Sequence, residues 1–276
     1  MVQSIMSYRI AMIPYTNMAP YWQLDMPDGC VGVPCVPREC MQALMEGRVV
    51  AGAMPVVGLS ELGGVVEVVG RFGIAAKEES MSVLFFSDRP FADMRIPAKI
   101  RVTTESASGV RLLYLLFGYR QGFKKVPLLA GENEVPNGEL VIGDAALLRM
   151  LAWRNTNTGK DLTAPDYEYV TDLASEWYAF HKLPFVFARW VIRKDASNEA
   201  RRKIETWLDE FRSREEELVK SSALKAAQEL KVAEEDIKYY FEIIRRTLED
   251  QDIAGQERFL KEMQKHSREP LFQLAL

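Results

Sequence analysis

Four short stretches of this chain place polar side chains where a turn would present them to a ligand. Tyr15, Thr16 and Asn17 follow the apolar run Ile10–Ile13 and Pro14. Ser82 lies in the run Ser80–Ser87. Ser106, Ala107 and Ser108 precede an apolar, helix-forming segment, and Asp144 follows Gly143 at the end of another strand-like run. An Asn amide both donates and accepts hydrogen bonds. Serine hydroxyls before a helix cap its free N–H groups, and those same groups attract anions. A carboxylate next to a glycine turn can cap a helix or orient a donor. The chemistry on offer is anion binding and charge stabilisation by neutral donors. His181 and His266 are the only histidines, too few for a histidine-rich metal centre. Cys30, Cys35 and Cys40, five apart, fit neither a paired disulfide framework nor a metal knuckle and read as reduced thiols. No metal or cofactor is expected.

The elements that must position these residues alternate strand and helix. Ile10–Ile13 reads as a short buried strand, and in open α/β sheets ligands sit at the carboxyl ends of strands. Tyr21–Val33 reads as irregular. A helix over Arg38–Glu46 and a strand over Val49–Met54 then complete a βαβ unit, which requires a parallel sheet. Val56–Leu62 predicts a short helix. Strands follow over Val65–Phe72, Ser80–Ser87 and Arg101–Thr104. After the turn Glu105–Gly109 comes a helix over Val110–Gly118. Gly138–Ile142 repeats the strand–turn–helix logic, and Tyr167–Leu173 and Phe185–Ile192 are further strands. From Ser197 the chain is charged and Leu/Ile-periodic, predicting helices over Asn198–Val219, Ser221–Glu229, Ala233–Leu248 and Gly255–Gln264. Crossings near Ser87 and Arg193 predict two lobes, 1–87 with 193–276 and 88–192, closing on an interlobe cleft. The expected class is α/β, a two-lobed fold of the type II periplasmic-binding-protein kind with a helical C-terminal return.

Composition narrows the partners. The 276 residues are 48% hydrophobic and 27% charged, with a net charge of −4. Nucleic acid is not an expected partner, because phosphate binding wants a basic surface. A local cleft can still attract a small anion. No run is long and apolar enough to span a membrane, and Met1–Arg9 lacks the pattern of a secretory signal, so a cytoplasmic protein is expected. A homodimer is one of the assemblies the pattern allows.

Taken in order, six stretches carry a family likeness: Tyr15–Pro20, Met54–Val56, Ser82–Ser87, Glu105–Val110, Ile142–Leu147 and Leu183–Trp190. They resemble the MqnA family, chorismate dehydratases of the futalosine route to menaquinone, and the likeness runs over nearly the whole chain, including Tyr239–Phe259. The resemblance implies the two-lobed fold and the loss of water from chorismate to give 3-[(1-carboxyvinyl)oxy]benzoate, with no cofactor. It puts Asn17 at the reacting centre and implies substrate-binding roles for Tyr15, Thr16, Ser82, Ser106, Ala107, Ser108 and Asp144. It also implies that the substrate's own side-chain carboxylate serves as base. Two positions depart from the family pattern: Pro14-Tyr15-Thr16-Asn17 stands for Ser-Tyr-Leu-Asn, and Gly109 stands where many relatives carry a hydroxyl. The alternatives are a binding protein of the same fold that carries a small anion, and the paralogous 1,4-dihydroxy-6-naphthoate synthase, whose first motif Tyr15-Thr16-Asn17 does not match.

Each of these residues also has a plainer reading. Asn17 can satisfy its own turn, Ser106, Ser108 and Asp144 can be helix caps, and Ser82 can be an ordinary strand residue. Arg189 and Trp190 can form a cation–π pair. Tyr15 and Trp22 can stack on a flat ring or fill the core. His181 is expected to face solvent, and Met12, Met18, Met54 and Met81 to line core or cleft.

Overall fold

The computed structural model describes residues 7–157 and 167–273. In chain order these form β1 (Tyr8–Met12), β2 (Cys30–Pro34), α1 (Pro37–Met45), β3 (Ala51–Pro55), α2 (Gly58–Glu61), β4 (Val66–Ala76), β5 (Val83–Ser87), β6 (Lys99–Val102), α3 (Ser108–Gln121) and β7 (Leu128–Leu129). There follow β8 (Gly138–Ile142), α4 (Gly143–Asn157), β9 (Tyr169–Asp172), α5 (Leu173–His181), β10 (Phe185–Arg193), α6 (Asn198–Leu230), α7 (Glu234–Ile243), β11 (Ile244–Thr247), α8 (Asp250–His266) and α9 (Pro270–Gln273). No helix among the described residues is long and apolar enough to cross a membrane.

The chain divides into two compact units. One holds the residues up to Ala75 with Val186–Glu249, the other Ala76–Phe185 with the residues from Asp250 onward. This departs from the boundaries expected at Ser87 and Arg193. β5 pairs antiparallel with β8 and β9, which draws Val83–Ser87 into the second sheet. The closing helices go the same way: α8 and α9 pack on α3, and Phe259 meets Phe185 and Trp177 edge-on at 4.9 and 6.0 Å.

The first unit is built on a six-stranded sheet, β11-β4-β10-β3-β1-β2. β1 is parallel to both neighbours, with Ile10 opposite Gly32 and Ala51. The expected βαβ unit is therefore present, but β2 lies within the stretch read as irregular. Its Cys-Val-Gly-Val-Pro sequence suits only an edge strand, since glycine and proline weaken a ladder. α6 covers this unit as one 33-residue helix instead of two. No glycine or proline interrupts it, and Ser221 and Ser222 donate back to the Leu218 carbonyl without breaking it. Its buried Ile204, Trp207, Leu208 and Phe211 recur at helical spacing. Tyr21 stacks on Phe211 at 4.0 Å and meets Trp190 edge-on at 5.4 Å, while Trp22 stacks on Trp207. Trp22 is thus part of the aromatic core.

The second unit's sheet runs β7-β6-β8-β5-β9. α3 crosses it, buried from Ser108 to Gly118 and packed on α5, α8 and α9. His181, at the end of α5, is half-buried and not simply solvent-facing: its Nε2 lies 3.1 Å from the Tyr119 hydroxyl and its ring 4.0 Å from Trp177. Burial, aided by Arg258, holds its pKa below the ordinary 6.5, with Glu262 acting the other way. Burial and Lys265 lower that of His266 as well. The fold therefore resists protons that the unfolded chain takes up near pH 6.5. This stabilisation is complete above that pH and lost as pH falls through the depressed values. Thermal unfolding should show a lower midpoint at about pH 5 than at about pH 7.5, and His181→Phe should shrink that difference. An unchanged difference in the variant would remove His181 as a source.

Candidate functional site

In the second unit every polar candidate comes to one end of the sheet. β6 and β8 are parallel, with Val102 opposite Leu140, so the turn before α3 and the start of α4 share an edge. From β6 the chain passes through α3 to β7 on one side, and from β8 through α4 to β9 on the other. The strand order thus reverses between β6 and β8, the place where open α/β sheets bind ligands. β5 enters this end from the opposite direction, with Val83 opposite Ile142 and Leu84 opposite Asp172. Ser82 therefore stands at the carboxyl ends of β8 and β9.

The segment Ser80–Ser82 precedes β5 and is not strand. Met81 has φ 54°, a left-handed conformation that costs a non-glycine residue about 1 kcal/mol or more. Asp172 holds it there. One carboxylate oxygen accepts from the backbone N–H of Ser80 at 2.8 Å and of Met81 at 2.7 Å; the other accepts from Ala174 N–H at 2.9 Å and Ser175 N–H at 3.4 Å. The Ser80 hydroxyl also donates to Asp172 and accepts from Val83 N–H at 3.2 Å. The Ser82 hydroxyl donates to the Ser80 carbonyl at 3.1 Å, and the Ser82 carbonyl accepts from Gly143 N–H at 2.8 Å. A single carboxylate thus fixes Ser80–Ser82 and starts α5, and through Ser82 the link extends to the start of α4. Burial pushes the Asp172 carboxyl up, and the four backbone N–H groups pull it back down.

Ser106 behaves as a cap: its Oγ accepts from Gly109 N–H at 3.0 Å. Ala107 precedes the first turn of α3 and its carbonyl accepts from Arg111 N–H, while Ser108 and Arg111 are buried within the helix. With its oxygen occupied, the Ser106 hydroxyl still has a proton to give. Ser82, by contrast, spends its proton on Ser80 and offers only an acceptor. A Cβ at Gly109 would stand 2.6 Å from the Ser106 Oγ and 3.2 Å from Val83 Cγ1, so a side chain there would have to displace the Ser106 hydroxyl. Gly143, at φ 66°, permits the abrupt change from β8 to α4, and Asp144 sits half-buried in the first turn of α4, where a negative charge suits the helix dipole.

In the first unit, β1 delivers the other polar group. After Pro14 the chain enters a 3-10 turn, Thr16–Met18, closed by Met18 N–H to the Tyr15 carbonyl at 2.9 Å. Thr16 is buried; Tyr15 and Asn17 are half-buried. The Asn17 carbonyl accepts from Arg246 Nε at 3.0 Å. Arg189 donates to the carbonyls of Gly70 and Phe72.

Three residues escaped the sequence reading. Asp172 carried a usable signal, an Asp between a strand and a helix, which is the N-cap pattern. Arg111 and Arg246 carried none, because charged residues in helix-like sequence normally read as solvated faces.

The family described as menaquinone biosynthesis matches residues 8–265 of the chain. A chorismate dehydratase from Thermus thermophilus is 28% identical over 198 residues, 68% of this chain and 70% of that protein. Among solved structures, protein AF1704 from Archaeoglobus fulgidus superposes with a TM-score of 0.65 at 12% identity, over 96% of this chain and 99% of that one. The alkanesulfonate-binding protein SsuA from Xanthomonas axonopodis pv. citri, bound to MOPS, gives 0.59 at 12% identity, over 98% and 97%. At such identities the likeness shows the fold, which is of the periplasmic-binding-protein kind.

Removing the Asp172 carboxylate should leave four N–H groups without their acceptor. Asp172→Ala is expected to lower the unfolding free energy by about 3 kcal/mol, and Asp172→Asn, which keeps one oxygen, by less. Denaturant titration measures both, and an Ala variant as stable as the parent would show that the carboxylate does not hold this end of the sheet.

Proposed function

This chain belongs to the menaquinone biosynthesis family, and on that premise we propose that it is a chorismate dehydratase. The observation that carries the reading is the family match over residues 8–265 together with a relative of that activity. The reaction turns chorismate into 3-[(1-carboxyvinyl)oxy]benzoate and water. A ring C–H bond breaks and its electron pair enters the ring. The neighbouring C–O bond breaks, and hydroxide leaves with the proton as water. Aromaticity makes the elimination downhill, so the protein has to position the substrate, stabilise charge and exclude bulk water.

The assigned roles follow from what each group can do. The Asn17 amide donates to the departing hydroxyl or to a carboxylate. The first turn of α3, with Ser106, Ala107 and Ser108, binds a carboxylate through backbone N–H groups and the remaining Ser106 proton. Tyr15, Thr16 and Ser82 contact the substrate, Ser82 as an acceptor. Asp144 orients a donor. The substrate's side-chain carboxylate takes the ring proton. The compartment is the cytoplasm, in keeping with the free thiols of Cys30, Cys35 and Cys40.

Mixing chorismate with the protein, without added metal or nucleotide, should abolish the diene absorbance and yield the aromatic product. Chorismate bound tightly but unchanged would instead favour a binding protein. Asn17→Ala should lower turnover about 100-fold, the scale of losing one donor to developing charge, while leaving the melting temperature in place. Full turnover in that variant would take Asn17 out of the reaction.

A further inference from the structure

Arg246 is buried to 1% exposure on β11, where strand alternation sets it on the same face as buried Ile244. Its guanidinium lies 4.8 Å over the Phe241 ring and faces carbonyls; among the described residues Glu215 acts on it through space, without a hydrogen bond between the two. Nη1 donates to Ile244 at 3.0 Å and Phe241 at 3.3 Å, and Nε donates to Asn17 at 3.0 Å. Nη2 is buried without a hydrogen-bond partner among the described residues. From the other side, the Tyr21 hydroxyl donates to the Arg246 carbonyl at 2.9 Å.

Stability does not account for this arrangement. Burying a cation is costly, and with Glu215 acting only through space an apolar residue would serve the core better. A buried donor left unpaired asks for an explanation. What the guanidinium does achieve is a link of 229 positions along the chain, from the α7–β11 corner to the carbonyl of Asn17. Such a bond fixes the backbone from which the Asn17 amide projects. We propose that Arg246 is a positioning residue for Asn17: it holds the turn after β1 rigid so that the amide meets the reacting atoms in one geometry. The proposal rests on the reading of Asn17 as the group at the reacting centre.

The test is a double-mutant cycle on chorismate turnover. Arg246→Gln keeps a donor and removes the buried charge, so it is expected to fold, as circular dichroism would verify. It should lower kcat about 30-fold with KM changed less than about 3-fold, since a small misplacement of a reacting group is costly in rate. In an Asn17→Ala background the same change should cost less than about 2-fold, because residues acting through one another are not additive. Equal losses in both backgrounds would overturn the positioning role and leave Asn17 in place. An Asn17→Ala protein with full turnover would overturn the underlying reading and the proposal with it. If Arg246→Gln is not recovered folded, Arg246→Lys carries the same cycle, and its charge and donor should restore part of kcat only where Asn17 is present.

Discussion

The carboxylate of Asp172 sets the geometry of the second unit's polar end. Each of its oxygens accepts from two backbone N–H groups, one pair before β5 and one pair in α5. The first pair belongs to a turn that would not hold on its own, since Met81 adopts a left-handed conformation with a full side chain. Strain of that kind persists only where the surroundings over-determine it. Once Ser80 and Met81 are fixed, the Ser82 hydroxyl is committed and its carbonyl is pinned to Gly143. The starts of α4 and α5 and the approach to β5 are therefore mechanically one object.

An anionic substrate and a protein of net charge −4 are compatible because the attraction is local. Helix N-termini carry partial positive charge that acts over the first turn alone. Three helices, α3, α4 and α5, begin at this one sheet end, and two of those starts are modulated by carboxylates, Asp144 and Asp172. Only α3 begins with small neutral residues, Ser106 to Gly109. Of the three starts, that of α3 is the one with no acidic residue in its first turn, in keeping with the anion-binding role proposed for it.

Much of this was legible in the sequence, for physical reasons. Strands with strong apolar runs, such as Phe185–Ile192, and turns such as Gly143-Asp144 declare themselves, because burial and glycine geometry leave little choice. The expected cap role of Ser106 is realised through Gly109 N–H. What escaped were elements whose local pattern misleads. β2 is a short edge strand carrying glycine and proline. β11, Ile-Arg-Arg-Thr, reads as the tail of a helix, yet alternation buries its second arginine. No local rule announces that an arginine 229 positions away will grip the Asn17 carbonyl. The polar residues of the candidate site were visible as turns; of the residues that hold those turns, Asp172 left only a cap signal and Arg246 none, since their partners are distant in the chain.

Gly109 shows how a departure from a family pattern can be compensated. A hydroxyl-bearing side chain there would add one donor to the α3 turn. Its Cβ, however, would lie 2.6 Å from the Ser106 Oγ and crowd Val83. With glycine, Ser106 settles over the helix start, accepts the Gly109 N–H and keeps its own proton available. The turn gives up a second hydroxyl and gains a fixed one. The Ser106 hydroxyl is thereby held by a bond made in folding, and a group fixed in advance has less ordering cost left to meet on binding.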